Sequence, residues 1–248
     1  MTLGIMQPYF FPYWGHFALI AVVDRWVVFD ITQYTPKSWM NRNRILHPTR
    51  GWQYVTVPLD RASISIKTYE ARVLNPVTTE EQILCQLMHY KKSAPYFTAV
   101  IDLVKRVFSS VHDDSLVALN TAALAETCAY LGVPLNYVIC SRLALDLPQD
   151  MKPGDWAPAI ASHLGARSYI NPSGGRDLFN PQSFAALDID LKFLETEDFA
   201  YPTPGYVFES NLSILDVIMW NDPKTIRGAL LSLARVTRDT ATATLKRD

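Results

Sequence analysis

The sequence is short of the features that announce most functions. Its three cysteines, Cys85, Cys128 and Cys140, are an odd and widely spaced set. That argues against a disulfide framework and fits a reducing compartment, so a cytoplasmic location is expected. Lys and Arg total 23 against 24 Asp and Glu, a net charge of −1, which leaves no basic excess for nucleic acid. No apolar run approaches the roughly 18 residues of a membrane span. No basic n-region with a separate hydrophobic stretch marks a signal peptide. The five histidines lack metal-ligand spacing, and the Walker and dinucleotide glycine signatures are missing, so no metal and no tightly bound cofactor is expected. Neither an internal repeat nor a Gly/Ser linker breaks the 248 residues.

What the chain does have is an unusual opening. Leu3 to Met6 reads as a buried strand and Ala18 to Val23 as a helix. Between them runs Gln7-Pro8-Tyr9-Phe10-Phe11-Pro12-Tyr13-Trp14-Gly15-His16-Phe17. Two prolines stiffen it and remove two donors, while Gly15 allows close approach and His16 falls near the helix start. A strand, a rigid loop and a helix start form a favoured ligand site in α/β proteins.

The rest alternates. Strands are expected over Arg25–Asp30, Gln53–Pro58, Leu135–Cys140, Ser168–Asn171 and, last, Ile189–Leu194, with an edge strand over Ile64–Val73. Helices are expected from Thr78, capped by Thr78 and Glu81, to Lys92, then Ala94–Ser110, one opened by Asp114 or Ser115 and running to Leu131, Trp156–Leu164, Pro181–Ala186, Ser213–Trp220 and Lys224–Val236. Strands separated by helices imply a largely parallel sheet covered on both faces, a Rossmann-like three-layer α/β fold. One domain over residues 1–236, a helical insertion at about 78–131 and a frayed tail over 237–248 complete the expected organisation.

Ligands of such sheets sit beyond the strands' carboxyl ends. That edge should collect Gln7, Tyr9, His16, Asp30, Gln33, the loop Asn41-Arg42-Asn43-Arg44, and Gly174-Gly175. His16 suits acid/base work by its ordinary pKa of roughly 6.5. The paired arginines suit phosphate or carboxylate. Asp216 sits among Ile214, Leu215, Val217 and Ile218. It is either on a wet edge or buried with a partner, where it could orient His16 or an amine. Of the cysteines, Cys128 is the candidate nucleophile of a covalent variant.

The residues Gln7-Pro8-Tyr9-Phe10-Phe11-Pro12, Gly15, Asp30, Gln33-Tyr34, Trp39, Asn41-Arg42-Asn43-Arg44-Ile45, Ala94-Pro95-Tyr96-Phe97, Gly174-Gly175 and Leu212-Ser213-Ile214 with Asp216 resemble the WbqC-like protein family. The likeness spans almost the whole chain. Ile31 stands where many members carry a second acid, and His16 where many carry Tyr or Phe, which moves weight to Gln7, Asp30, Gln33 and the Asn41–Arg44 loop. Family members occur among O-antigen and cell-surface polysaccharide genes, which implies sugar modification. Pro12-Tyr13-Trp14-Gly15-His16 is also similar to the H-x-G-H signature of nucleotidylyltransferases, with Tyr13 in place of the first histidine.

The chain also resembles enzymes of sugar-decorated secondary metabolism that join a carrier-protein-bound aminoacyl group to an amino sugar, and with the polysaccharide-gene setting this likeness implies an amide-forming acyl or aminoacyl transferase. A carrier-protein or coenzyme A thioester, on a phosphopantetheine arm, would donate to the amine of an amino sugar or related acceptor. His16 or Asp216 would serve as base or base-orienter, Gln7 as oxyanion donor, and Arg42 and Arg44 as the grip on phosphate. The alternatives are nucleotidyl transfer to a sugar or small acid, and a non-catalytic protein that binds sugar nucleotide or carrier.

Overall fold

In the computed structural model, residues 1–148 and 150–238 are described. The chain runs β1 (Thr2–Met6), α1 (Trp14–Ala21), β2 (Arg25–Val28), β3 (Arg42–Leu46), β4 (Trp52–Thr56), β5 (Leu59–Asp60) and β6 (Arg72–Val73). Three helices follow, α2 (Pro76–Leu87), α3 (Phe97–Ser110) and α4 (Leu116–Leu131). Then come β7 (Tyr137–Ile139), α5 (Trp156–His163), β8 (Ser168–Pro172), α6 (Pro181–Ala185), β9 (Asp190–Thr196), α7 (Ile214–Trp220), α8 (Pro223–Ser232) and β10 (Ala234–Arg238).

The central sheet has the order β10-β9-β8-β1-β2-β7, parallel throughout except for β10, which runs antiparallel along β9. The expected α/β architecture is therefore present. Strand alternation builds two cores. Trp26, Val28 and Ile170 face a large core shared with α1, α4, α7 and α8, whereas Leu3, Ile5, Val27, Tyr169 and Phe193 face a smaller one closed by Ile160 of α5 and Phe184 of α6. Helix α3 packs between α2 and α4, and α4 also packs against α8.

Several boundaries differ from expectation for physical reasons. Helix α1 begins at Trp14, so Gly15 and His16 lie inside its first turn rather than before it. Asn75, not Thr78, caps α2: its side chain accepts from the Thr78 N–H, and Pro76 occupies the first helical position, where a missing donor is harmless. Of the expected loop at 41–44, Arg42 to Arg44 belong instead to strand β3, paired with β4 in a separate antiparallel hairpin. Residues 64–73 give only the short strand β6. The last helix stops at Ser232, and the chain returns as β10. Of the expected tail, Thr237 and Arg238 belong to that strand, and 239–248 lie outside the described residues.

The β1–α1 loop is held by its carbonyls. Asn120 Nδ2 of α4 donates to Pro8 O at 2.7 Å and Met40 O at 2.8 Å. Asn43 Nδ2 of β3 donates to Phe10 O at 3.0 Å and Phe11 O at 2.8 Å, and Ser213 Oγ reaches Phe11 O at 2.7 Å. The Ile214 N–H reaches Pro12 O at 2.9 Å. These buried donors hold Phe11 at φ 38°, a left-handed backbone that a phenylalanine adopts only under constraint. Among the described residues no helix is long and apolar enough to cross a membrane.

Candidate functional site

The order in which strands are added reverses beside β1. From there the chain builds β2 and β7 to one side, and β8 and β9 to the other. Connections diverge at such a point and leave a crevice beyond the carboxyl ends of β1 and β8. A cavity of about 780 Å³ fills that position. Met6, Phe29, Met151, Trp156, Tyr169, Leu178 and Phe179 give it an apolar wall, and Gln7, Tyr9, Thr32, Gln33, Thr35, Lys67 and Asn171 supply its polar groups.

Each polar group is placed by a local device. Gln7 follows β1 directly, and the Tyr9 hydroxyl stands 3.5 Å from Gln7 Oε1, which leaves Gln7 Nε2 without a partner among the described residues. Residues 32–34 pair with 66–68: the Tyr34 N–H donates to Ile66 O at 3.0 Å and the Thr68 N–H to Thr32 O at 2.8 Å. This bridge sets Lys67 opposite Gln33. Asn171, next to last in β8, accepts the Tyr169 hydroxyl at 2.8 Å and donates to Pro172 O at 2.9 Å. Burial raises the Tyr9 phenol pKa, so it stays protonated near neutral pH.

Gly175 belongs to this arrangement. A Cβ built there would collide with Asn171 Nδ2, whereas one at Gly174 meets nothing within 4 Å. Gly175→Ala is therefore expected to lose about 1–3 kcal/mol by overpacking. Gly174→Ala should keep the parental stability, and urea denaturation of the two variants checks the pair. Equal midpoints would show that Asn171 is not seated against Gly175.

Five of the residues picked from sequence, Gln7, Tyr9, Gln33, Gly174 and Gly175, meet at this cavity. The others do not line it. Asp30 is buried just behind it, where its carboxylate accepts the Ser141 N–H at 2.8 Å and the Ser141 hydroxyl at 2.6 Å, tying β2 to the turn after β7. Asn41 accepts the Tyr34 hydroxyl and donates to Val57 O. With Asn43 it is a fastening of the fold. Arg42 and Arg44 lie on the outer face of the β3–β4 hairpin.

His16 is 1 % exposed, and neither ring nitrogen has a hydrogen-bond partner among the described residues. Its ring lies 4.8 Å from the Trp26 ring and 5.6 Å from Tyr9. Burial holds its pKa at about 3, so the imidazole is neutral under ordinary conditions. Asp216 is buried elsewhere. Its Oδ1 accepts the Tyr90 hydroxyl at 2.5 Å and its Oδ2 the Tyr201 hydroxyl at 3.2 Å, so it does not orient His16. Cys128 is enclosed in the large core, and burial pushes its thiol up to about 12, which suppresses the thiolate a nucleophile needs.

Lys67, Asn171 and Trp156 were not singled out from sequence. Asn171 carried a signal, a polar residue closing an apolar strand at the ligand edge. Lys67 carried none, because only the bridge to Gln33 brings it there.

The sequence profile of the WbqC-like protein family matches residues 7–228. The chain belongs to that family. It is also 25 % identical over 219 residues to a protein of Mycobacterium tuberculosis (strain ATCC 25618 / H37Rv) named uncharacterized protein Rv1507c, across 87 % of this chain and 92 % of that one. No solved structure matches the chain significantly. For this WbqC-like protein, the shared region takes in the β1–α1 loop, the hairpin, Lys67 and the Asn171–Gly175 turn.

Proposed function

We propose that the cleft joins an acyl thioester directly to a small amine, forming an amide. The observation that carries this reading is the character of the lining. Among the described residues its polar groups are amides, hydroxyls and the ammonium of Lys67, with no carboxylate, imidazole or thiol lining it. Such a site favours a reaction whose nucleophile brings its own lone pair. An amine resembling the α-amino group, of pKa about 7.7–8.0, is partly unprotonated at neutral pH.

In the proposed step the amine nitrogen attacks the thioester carbonyl. The carbonyl oxygen gains negative charge, the C–S bond breaks, and the thiolate takes up the proton that the nitrogen loses. The protein's share is positioning and charge stabilisation. Gln7 Nε2 donates to the developing oxyanion. The apolar wall from Met6 to Trp156 shelters the acyl arm from water, and Gln33 and Asn171 bond the acceptor's hydroxyls. Lys67 takes one anionic group of either substrate. The acceptor class, an amino sugar, rests on the link between this family and polysaccharide genes.

Intact-protein mass spectrometry with aminoacyl carrier proteins and an amino sugar tests the reading. The expected result is carrier unloading that depends on the amine, with a new amide product and no acyl mass on this protein. Gln7→Ala should slow product formation by roughly 10²-fold, the effect of losing one oxyanion donor. Acyl mass on the protein would overturn direct transfer, and a carrier that stays loaded would overturn the transferase reading altogether.

A further inference from the structure

The solvent face of the β3–β4 hairpin has a composition unlike the rest of the molecule. Trp39 and Trp52 are each 40 % exposed although they are the largest apolar side chains. Tyr54 lies between them, its ring centroid 6.5 Å from Trp39 and 5.0 Å from Trp52. Cross-strand pairing produces this row: Arg44 stands directly opposite Tyr54, and Arg42 opposite Thr56. The Arg42 guanidinium carbon sits 4.1 Å above the Tyr54 ring, and that of Arg44 lies 5.1 Å from Trp52 and 5.4 Å from Trp39.

Neither arginine forms an ion pair among the described residues. Both Nε atoms are buried without a hydrogen-bond partner, and Arg44 makes one side-chain hydrogen bond, from Nη2 to Asn211 O at 3.2 Å. Residues 31–59 contain Lys37, Arg42, Arg44 and Arg50 and no Asp or Glu, in a chain whose net charge is −1. Each guanidinium thus has its Nε buried against rings and forms no ion pair among the described residues. Cation–π contact fixes both guanidinium groups beside the rings and leaves their remaining donors available to a ligand.

We infer that this face is a binding site for an anionic ligand that carries a stackable ring beside its phosphate or carboxylate. The tryptophans supply the stacking surface, and Arg42 and Arg44 supply charge-assisted bonds to the anion. Two sources share that chemistry, a nucleoside diphosphate and an acidic sugar. The site is separate from the cleft and stands whether or not the cleft forms amides.

Tryptophan fluorescence reports on it directly. Titrating the full-length protein with uridine diphosphate, a glucuronate-containing disaccharide and inorganic phosphate separates the sources. The expected result is saturable quenching by one of the two ring-bearing probes. Arg44→Gln should weaken that binding about tenfold, Arg44→Lys should weaken it less, and the Trp39→Phe/Trp52→Phe pair should abolish the quenching. Saturation by uridine diphosphate assigns a nucleotide, and saturation by the disaccharide an acidic sugar. Quenching that survives in the double tryptophan variant, inorganic phosphate binding as tightly as either ring-bearing probe, or no saturation with any probe would each overturn the inference.

Discussion

A His16→Leu variant is expected to resist acid that unfolds the parent, by as much as about 5 kcal/mol at pH 3. The imidazole titrates at 6.5 in the unfolded chain and is held at about 3 in the fold by burial. As pH falls below 6.5 the unfolded chain takes up a proton that the folded chain refuses. The stability that depends on neutral His16 is therefore complete above 6.5 and is lost progressively down to pH 3. A shift of that size, at about 1.36 kcal/mol per unit, gives the stated maximum. Leucine is close in volume and sits well among Trp26, Phe17 and Tyr9, so the packing cost stays below about 1.5 kcal/mol. Urea denaturation at steps from pH 7 to pH 3 measures both proteins, and parallel curves would rule out His16 as the source of acid lability.

The same residue shows where sequence and structure part. Histidine at an apolar helix start is chemically attractive, but its chemistry depends on a polar partner or on access to solvent, and among the described residues the fold gives His16 no partner and buries it almost completely. Gln7, Tyr9, Gln33, Gly174 and Gly175 were legible because the position of a ligand site follows from strand order, and strand order follows from the β/α alternation. The hairpin was hidden by its own polarity. Arg42 and Arg44 face outward while Asn43 is buried between them. A strand whose inward position is an asparagine does not alternate apolar with polar, and the stretch reads as loop. Asn43 is inside because the β1–α1 loop presents carbonyls that need donors. Strand β10 was obscured for a related reason. Its residues Ala234-Arg235-Val236-Thr237-Arg238 lie on the sheet's edge, where polar side chains are tolerated and no buried face imposes a pattern.

Asp216 should give the opposite acid response to His16. Its carboxyl titrates at 3.8 when unfolded and is raised to about 6 in the fold, chiefly by burial and in spite of the bonds from Tyr90 and Tyr201. Between those values the folded chain holds a proton that the unfolded chain has released. Stability from the protonated acid is thus present below pH 3.8 and falls, by up to about 3 kcal/mol, as pH rises through 6. From pH 6 to pH 4 the contributions of Asp216 and His16 nearly cancel. His16→Leu should then grow more stable as pH drops across that window, and Asp216→Asn should grow less stable. Asparagine keeps an acceptor for Tyr90 and offers a donor to Tyr201, so at pH 7 Asp216→Asn should match or exceed the parent. Asp216→Ala instead leaves both phenol hydroxyls without their acceptor and opens a cavity, and it should lose about 3–5 kcal/mol. Denaturation curves of the three variants at pH 4, 6 and 7 decide the matter. If Asp216→Asn lost as much as Asp216→Ala at pH 7, the ionised carboxylate would be the species the fold requires, and its burial would carry a compensation from groups other than Tyr90 and Tyr201.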